Sequence, residues 1–320
     1  MMRIGNRIFD TKNHTYIMGI LNVTPDSFSD GGRFQALDAA LYHAARMVDE
    51  GADILDVGGE STRPGHTQIS EEEELARVLP MIEKLSCEFD VPISIDTYKS
   101  KVAQAALAAG ASLVNDIWGL KYDAKMAEVI ASAKGSVCLM HNRNNMDYHK
   151  SPYVVYPLAS LRLNASNQTI HEDNGATIAD YPVMSASDTH IDAEQLSRES
   201  FINVVQGEIQ ESIALAMKAG IEKDKIMLDP GVGFAKTYEM NLEVIRSLSC
   251  FTALDYPVLL GTSRKSVIGL ALDLPKEERE EGTLATTVLA CLAGCSFVRV
   301  HDVKKNKRAI LMTEAIYGQN

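Results

Sequence analysis

The chain has 320 residues, 46% of them hydrophobic and 23% charged, enough for a sizeable core beneath an ordinary surface. Its formal net charge of -12 excludes a broad basic face for nucleic acid but leaves room for cations gathered inside a pocket. No run approaches the roughly 18 apolar residues of a membrane span, and the opening MMRIGNRIFDTKNH lacks the apolar centre of a secretory signal, so no membrane partner and a cytoplasmic location are expected.

Residues 3–9 read as a small hairpin. Residues 16–21 are a short apolar run, a buried strand by pattern, that ends at Asn22 before a loop turned by Pro25 and Gly31-Gly32. A helix over 36–50 stops at Gly51. A second strand at 53–57 leads into GGESTRPGHTQ. Ser70 then caps a helix whose first turn, residues 71–74, is all glutamate and is expected to face water. The third strand, 91–95, ends in Asp96, and an alanine-rich helix follows at 99–109. The fourth, 112–114, ends in Asn115-Asp116 and precedes a helix at 124–134. The fifth, 136–140, leads to His141-Asn142-Arg143.

Residues 144–200 break this rhythm. They are rich in Ser, Asn, Asp, Tyr and Thr without a sustained helical period, which predicts a loop insertion, read as decoration rather than a lid. Regularity returns with a helix at 201–218 and a strand at 225–228 ending in Asp229. A helix at 241–249, a strand at 257–260, the sequence GTSRKS with a short helix, and a helix at 284–293 come next. A strand at 297–300, His301-Asp302 and a closing helix complete the chain. Alternating strands and helices predict parallel strands joined by right-handed crossovers. Eight units favour a closed (β/α)8 TIM barrel, one domain over 1–320, with the hairpin plugging its bottom.

In such a barrel the functional groups stand at the C-terminal ends of the strands. Here every unit ends in a polar or charged side chain, and buried charge is costly unless paired or used. Two chemistries separate. Asp96, Asn115, Asp229 and Lys265 offer the donors and acceptors that suit a flat, nitrogen-rich heterocycle. Arg63, Arg299 and His301 suit a phosphate-type anion, and Asn22 is a neutral oxygen suited to a Mg2+ ion shared with such an anion. A ring site beside a diphosphate site implies displacement of pyrophosphate from an activated heterocyclic ester. Other residues invite plainer readings. Asp56 is either a hydrogen-bond hub or a substrate contact, and His141 by itself reads as a strand-end cap. GVGFAKT lacks the spacing of a phosphate-binding loop. The five cysteines form no CxxC pair, and Cys291 and Cys295, four apart on an apolar helix face, read as buried free thiols in a reducing compartment.

Taken together, LNVTP, DVGGESTRPG, ISIDTYKS, VNDIWG, LMHNR, DPGVGF, LLGTSRKSVIG and RVHDV resemble the dihydropteroate synthase family, in order and spacing, over residues 16–143 and 201–304. The resemblance implies a TIM barrel that joins (7,8-dihydropterin-6-yl)methyl diphosphate to 4-aminobenzoate and releases pyrophosphate in folate synthesis. It also implies Mg2+, a homodimer, and susceptibility of the family to sulfonamides. By position, Asp96, Asn115, Asp229 and Lys265 would hold the pterin, with Met140 against its ring. Asn22 would ligate Mg2+, while Arg63, Arg299 and His301 hold the diphosphate. Thr62, Pro64, Phe234, Lys265 and Ser266 would line the aminobenzoate pocket, and Phe28 and Asp30 would sit on a mobile loop. Asp96, Lys265 and Arg63 would carry the catalysis, a dissociative substitution. The sequence departs from the family at Ala235, where glycine is usual, and in the length of 144–200. Two competing readings, a pterin-binding methyltransferase domain and a non-catalytic pterin binder, leave the cationic set without a task.

Overall fold

The computed structural model describes residues 1–23, 32–61, 68–142 and 198–317. An antiparallel hairpin, β1 (Met2–Ile4) and β2 (Arg7–Phe9), opens the chain. The barrel strands follow as β3 (Tyr16–Asn22), β4 (Ile54–Gly58), β5 (Ile93–Asp96), β6 (Leu113–Asp116), β7 (Ser136–Met140), β8 (Ile226–Asp229), β9 (Leu259–Leu260) and β10 (Phe297–Val300). Around them run α1 (Gly32–Asp49), α2 (Glu71–Glu88), α3 (Ser100–Ala108), α4 (Met126–Ser132) and α5 (Arg198–Ala219). α6 (Tyr238–Arg246), α7 (Leu248–Thr252), α8 (Ser266–Leu272), α9 (Glu280–Leu292) and α10 (Val303–Tyr317) complete the ring.

The strands pair in parallel in the order β8-β7-β6-β5-β4-β3-β10-β9. A parallel bridge between Leu228 and Val258, with Leu228 N–H donating to Pro257 O at 2.9 Å, closes the sheet on itself. The closed barrel read from the alternating pattern is therefore the observed fold.

A period of two along each strand sorts its side chains. Ile17, Leu55, Val57, Val114, Val137, Leu139 and Val298 pack outward against the helices in the main core. Met18, Ile54, Leu113, Cys138, Met227, Leu259 and Phe297 turn inward and form a second core with Met2, Ile4 and Phe9 of the hairpin, which plugs the barrel bottom. Two residues further along the same seven strands stand Ile20, Asp56, Asn115, Met140, Asp229, Gly261 and Arg299. The interior thus changes from apolar to polar within one step of the pleat.

Several expectations need correcting. Glu74 does not face water: it is buried and bonded to Lys99 Nζ at 2.7 Å, because the first turn of α2 lies against the loop entering α3. Ser70 does cap α2, accepting from Glu73 N–H. Asn115 and Asp116 belong to β6 itself, where the backbone continues its pairing with β7. The helix expected over 241–249 starts at Tyr238, capped by the Thr237 hydroxyl, and breaks at Ser247 into α6 and α7. Residues 198–200, placed in the insertion, are the first residues of α5. The remainder of that insertion, residues 144–197, lies outside the described residues. All five cysteines are free, and Cys291 and Cys295 are buried.

Candidate active site

The polar inward positions converge on the C-terminal end of the barrel. A Cβ placed on Gly261 would stand 3.6 Å from Asp229 Oδ2, 3.9 Å from Arg299 Cβ and 4.0 Å from Lys265 Nζ. A Cβ placed on Gly58 would stand 3.5 Å from Asn22 Oδ1 and 3.7 Å from Asp96 Oδ2. Residues from β3, β5, β8, β10 and the loop before α8 therefore frame one cavity, and the missing side chains of two glycines leave it open.

Arg299 lies across the floor. Its Nε donates to Asp56 Oδ2 at 2.6 Å and its Nη2 to Asp96 Oδ2 at 2.7 Å. Asn115 Nδ2 reaches the same Asp56 oxygen at 3.4 Å. Asp56 Oδ2 is thus a hydrogen-bond hub for Arg299 and Asn115. The other Asp56 oxygen, Oδ1, and Asp96 Oδ1 are buried without a hydrogen-bond partner among the described residues. Buried oxygens left this way are costly, and they mark where an N–H-rich ligand would be received. Burial pushes the Asp96 carboxyl up to about 7 against the pull of Arg299, and raises Asp229 above its ordinary range. The two acids that face the cavity are held in a state that gains from a ligand's N–H groups.

The walls are apolar. Tyr98, Ile117 and Met140 are buried together, with Trp118 and Phe234 packed against them. Asp116 builds the turn that presents Ile117 and Trp118, accepting N–H bonds from Trp118 at 2.9 Å and Leu120 at 2.7 Å. It is an organiser of backbone rather than a ligand group. Phe234 sits under the Lys265 ammonium, 4.6 Å from ring centroid to Nζ, in cation–π contact. Lys265 Nζ also donates to Val232 O. Burial pulls this ammonium down to about 8. Ser266 opens α8 directly after Lys265. His301 accepts or donates at Nδ1 to the Ser263 hydroxyl at 2.9 Å, which fixes its ring beside β10.

Of the residues read from the sequence, Asn22, Asp96, Asn115, Met140, Asp229, Phe234, Lys265, Ser266, Arg299 and His301 all lie at this end of the barrel. Thr62, Arg63, Pro64, Phe28 and Asp30 lie outside the described residues. Sequence reasoning missed Tyr98, whose hydroxyl donates to Glu60 Oε1 at 2.6 Å, and Lys99, which joins Glu60 to Glu74. The run DTYKS carried the only signal: an aromatic and a cation directly after a strand-end carboxylate. It also missed Glu208 and Lys236 around His141.

A family model described as pterin binding enzyme matches residues 18–301. The chain is similar to the dihydropteroate synthase of Clostridium beijerinckii, 48% identical over 316 residues that cover 98% of this chain and 99% of that protein. Among solved structures it is similar to a dihydropteroate synthase from Clostridium difficile in the presence of pteroic acid. That match has a TM-score of 0.78 at 46% identity and covers 97% of this chain and 99% of the other. A dihydropteroate synthase from Xanthomonas albilineans with 4-aminobenzoic acid matches at a TM-score of 0.75 and 35% identity, over 95% of this chain and 93% of the other.

Proposed function

The chain belongs to the family of pterin-binding enzymes and has the activity of a dihydropteroate synthase, and from that premise we propose how its residues divide the reaction. The reaction joins (7,8-dihydropterin-6-yl)methyl diphosphate to 4-aminobenzoate and releases pyrophosphate. Asp96, Asn115, Asp229 and Lys265 hold the pterin, the carboxylates taking its amino-pyrimidine edge, and Met140 lies against its ring. The observation that carries this reading is the unpartnered Asp96 Oδ1, buried at the rim of an apolar slot and beside a second acid.

Displacement proceeds by rupture of the C–O bond, whose electron pair leaves with the diphosphate. The cation left on the methylene spreads into the pterin, where the Asp96 carboxylate stabilises it until the aniline nitrogen attacks and sheds its proton. Arg63, Arg299 and His301 draw on the departing anion. Arg299 has a double task, because its guanidinium also neutralises Asp56 and Asp96. Phe234, Lys265 and Ser266 line the 4-aminobenzoate pocket, to which the family resemblance adds Thr62 and Pro64, with Phe28 and Asp30 also assigned by that resemblance alone. Asn22, an exposed amide whose Oδ1 faces the Asp96 carboxylate across Gly58, fits a hard cation shared with phosphate oxygens. Asn22 would hold Mg2+ there, which would supply charge neutralisation for the leaving diphosphate.

A homodimer is supported by an apolar surface on the paired helices α9 and α10: Leu289, Leu292, Leu311, Met312, Ile316 and Tyr317 are exposed. The cytoplasm is the compartment that keeps five thiols reduced. No helix among the described residues is long and apolar enough to cross a membrane.

The test is release of pyrophosphate from the pterin diphosphate with and without 4-aminobenzoate, the same preparation being weighed by sedimentation. Release that requires the arylamine is expected, and Lys265→Ala and Arg299→Ala abolish it with circular dichroism unchanged. Near-normal turnover in both variants would defeat the assignment of roles.

A further inference from the structure

Beside the pterin slot lies a row of three ionisable side chains that the reaction above does not use. Glu208 comes from α5, His141 follows β7, and Lys236 precedes α6. His141 is buried; its Nε2 lies 2.7 Å from Glu208 Oε2 and its Nδ1 lies 2.8 Å from Lys236 Nζ. An ammonium only donates, so Nδ1 is the acceptor, and the proton of the neutral imidazole sits on Nε2, where it bonds the carboxylate. The His141 N–H also donates to Asp229 O at 2.8 Å, which ties the row to the strand end that carries the pterin acid.

Lys236 also bonds one turn. Its Nζ donates to Gly231 O at 2.9 Å and to Phe234 O at 3.3 Å. That turn is costly to hold: Gly231, Gly233 and Ala235 all have left-handed φ, at 71°, 84° and 45°. For alanine this region is disfavoured by sterics, so the turn needs bonds from outside itself. Phe234, at its apex, is the ring beneath the Lys265 ammonium.

We propose that Glu208, His141 and Lys236 form a positioning row whose task is to hold Phe234, and thereby to set the affinity for the arylamine independently of the pterin. The inference rests on the reading of Phe234 as a wall of the 4-aminobenzoate pocket. Glu208 orients the imidazole, the imidazole orients the ammonium, and the ammonium closes the turn. Asp96 and Asn115 stand on other strands, and Asp229 meets this row through the backbone N–H groups of His141 and Gly231, which side-chain variants leave in place, so the pterin site is expected to change less than the arylamine pocket.

Steady-state kinetics of pyrophosphate release by the full chain test this, both substrates being varied. Lys236→Met is expected to raise KM for 4-aminobenzoate about tenfold, the loss of a charge-assisted bond, with KM for the pterin diphosphate within about twofold. Glu208→Leu acts in the same direction, and Glu208→Gln restores the arylamine KM, because an amide oxygen still accepts the Nε2 proton. That rescue separates positioning from bulk stability. An unchanged arylamine KM in Lys236→Met, or a parallel rise in both KM values, overturns the proposal. Should Lys236→Met fail to fold, the Leu and Gln variants at Glu208 decide the same point: equal arylamine KM in the two overturns it. Wild-type enzyme that releases pyrophosphate without need of arylamine would overturn the functional reading and this inference with it, whereas normal wild-type release without the KM split overturns this inference alone.

Discussion

A lysine that loses its water holds its proton less firmly. Burial brings Lys265 down to about 8, with Asp229 pulling it back up and Arg299 pushing it further down. In the free enzyme, kcat/KM for the pterin diphosphate is therefore expected to fall as pH rises through about 8, since the neutral amine no longer brings its charge to the bound pterin. The sign of the stability change runs the other way. Between about 8 and about 10.4 the unfolded chain holds more protons at this residue than the folded chain, so stability rises with pH in that window. Lost rate on the alkaline side is then titration and not unfolding. Lys265→Arg, whose guanidinium stays charged above pH 12, should lower the plateau but remove the limb. A wild-type profile flat from about pH 7 to about pH 9.5 would contradict the assignment. This residue was legible in the sequence because SRKS follows directly on an apolar strand end. Tyr98 was legible only as an aromatic, since nothing in DTYKS names Glu60, 38 residues earlier, as the partner of its hydroxyl.

At the scale of single elements, strand ends declare themselves and turns do not. A polar residue closing an apolar run fixes its own position in a barrel by the period of two. Asp96, Asp229 and Arg299 could therefore be placed before any coordinates. The turn from Gly231 to Lys236 could not: its shape is set by His141, Glu208 and Asn241, which come from three separate places in the chain. The same holds for Glu74, which joined a run of four glutamates and was buried by Lys99. Ala235 shows what this turn costs. At φ 45° its Cβ is a burden that glycine would not carry, although glycine loses more backbone freedom on folding. Ala235→Gly is expected to stabilise the protein by a few tenths to about 1 kcal/mol, seen as a higher denaturant midpoint at constant m. A lower midpoint would mean that the alanine methyl makes packing contacts worth more than the strain. Gly231 allows no such freedom, because a Cβ there would stand 1.9 Å from His141 O.

Across the whole molecule, the barrel separates what keeps it folded from what it does. The hairpin end is packed with apolar side chains, and the opposite end holds unpartnered carboxylate oxygens and a depressed lysine. Two residues of strand divide the layers. Phe9 tests the division. It is fully buried, with its ring edge-on to Tyr16 at 4.8 Å and to Phe297 at 5.4 Å between centroids. It joins the hairpin to the first and last strands of the barrel, which also pair with each other. Phe9→Ala deletes a buried ring that its rigid neighbours cannot replace, so a loss of about 3–5 kcal/mol is expected in denaturant unfolding. The catalytic end should not register the change: kcat and both KM values stay within about twofold at a temperature where the variant is folded. The physical reason is that β3 and β10 hold their register through backbone bonds along four residue pairs, which a side-chain cavity at one end leaves in place. If the variant instead lost arylamine or pterin affinity while still folded, strain would be travelling along those strands from floor to rim, and the two ends could not be treated as separate.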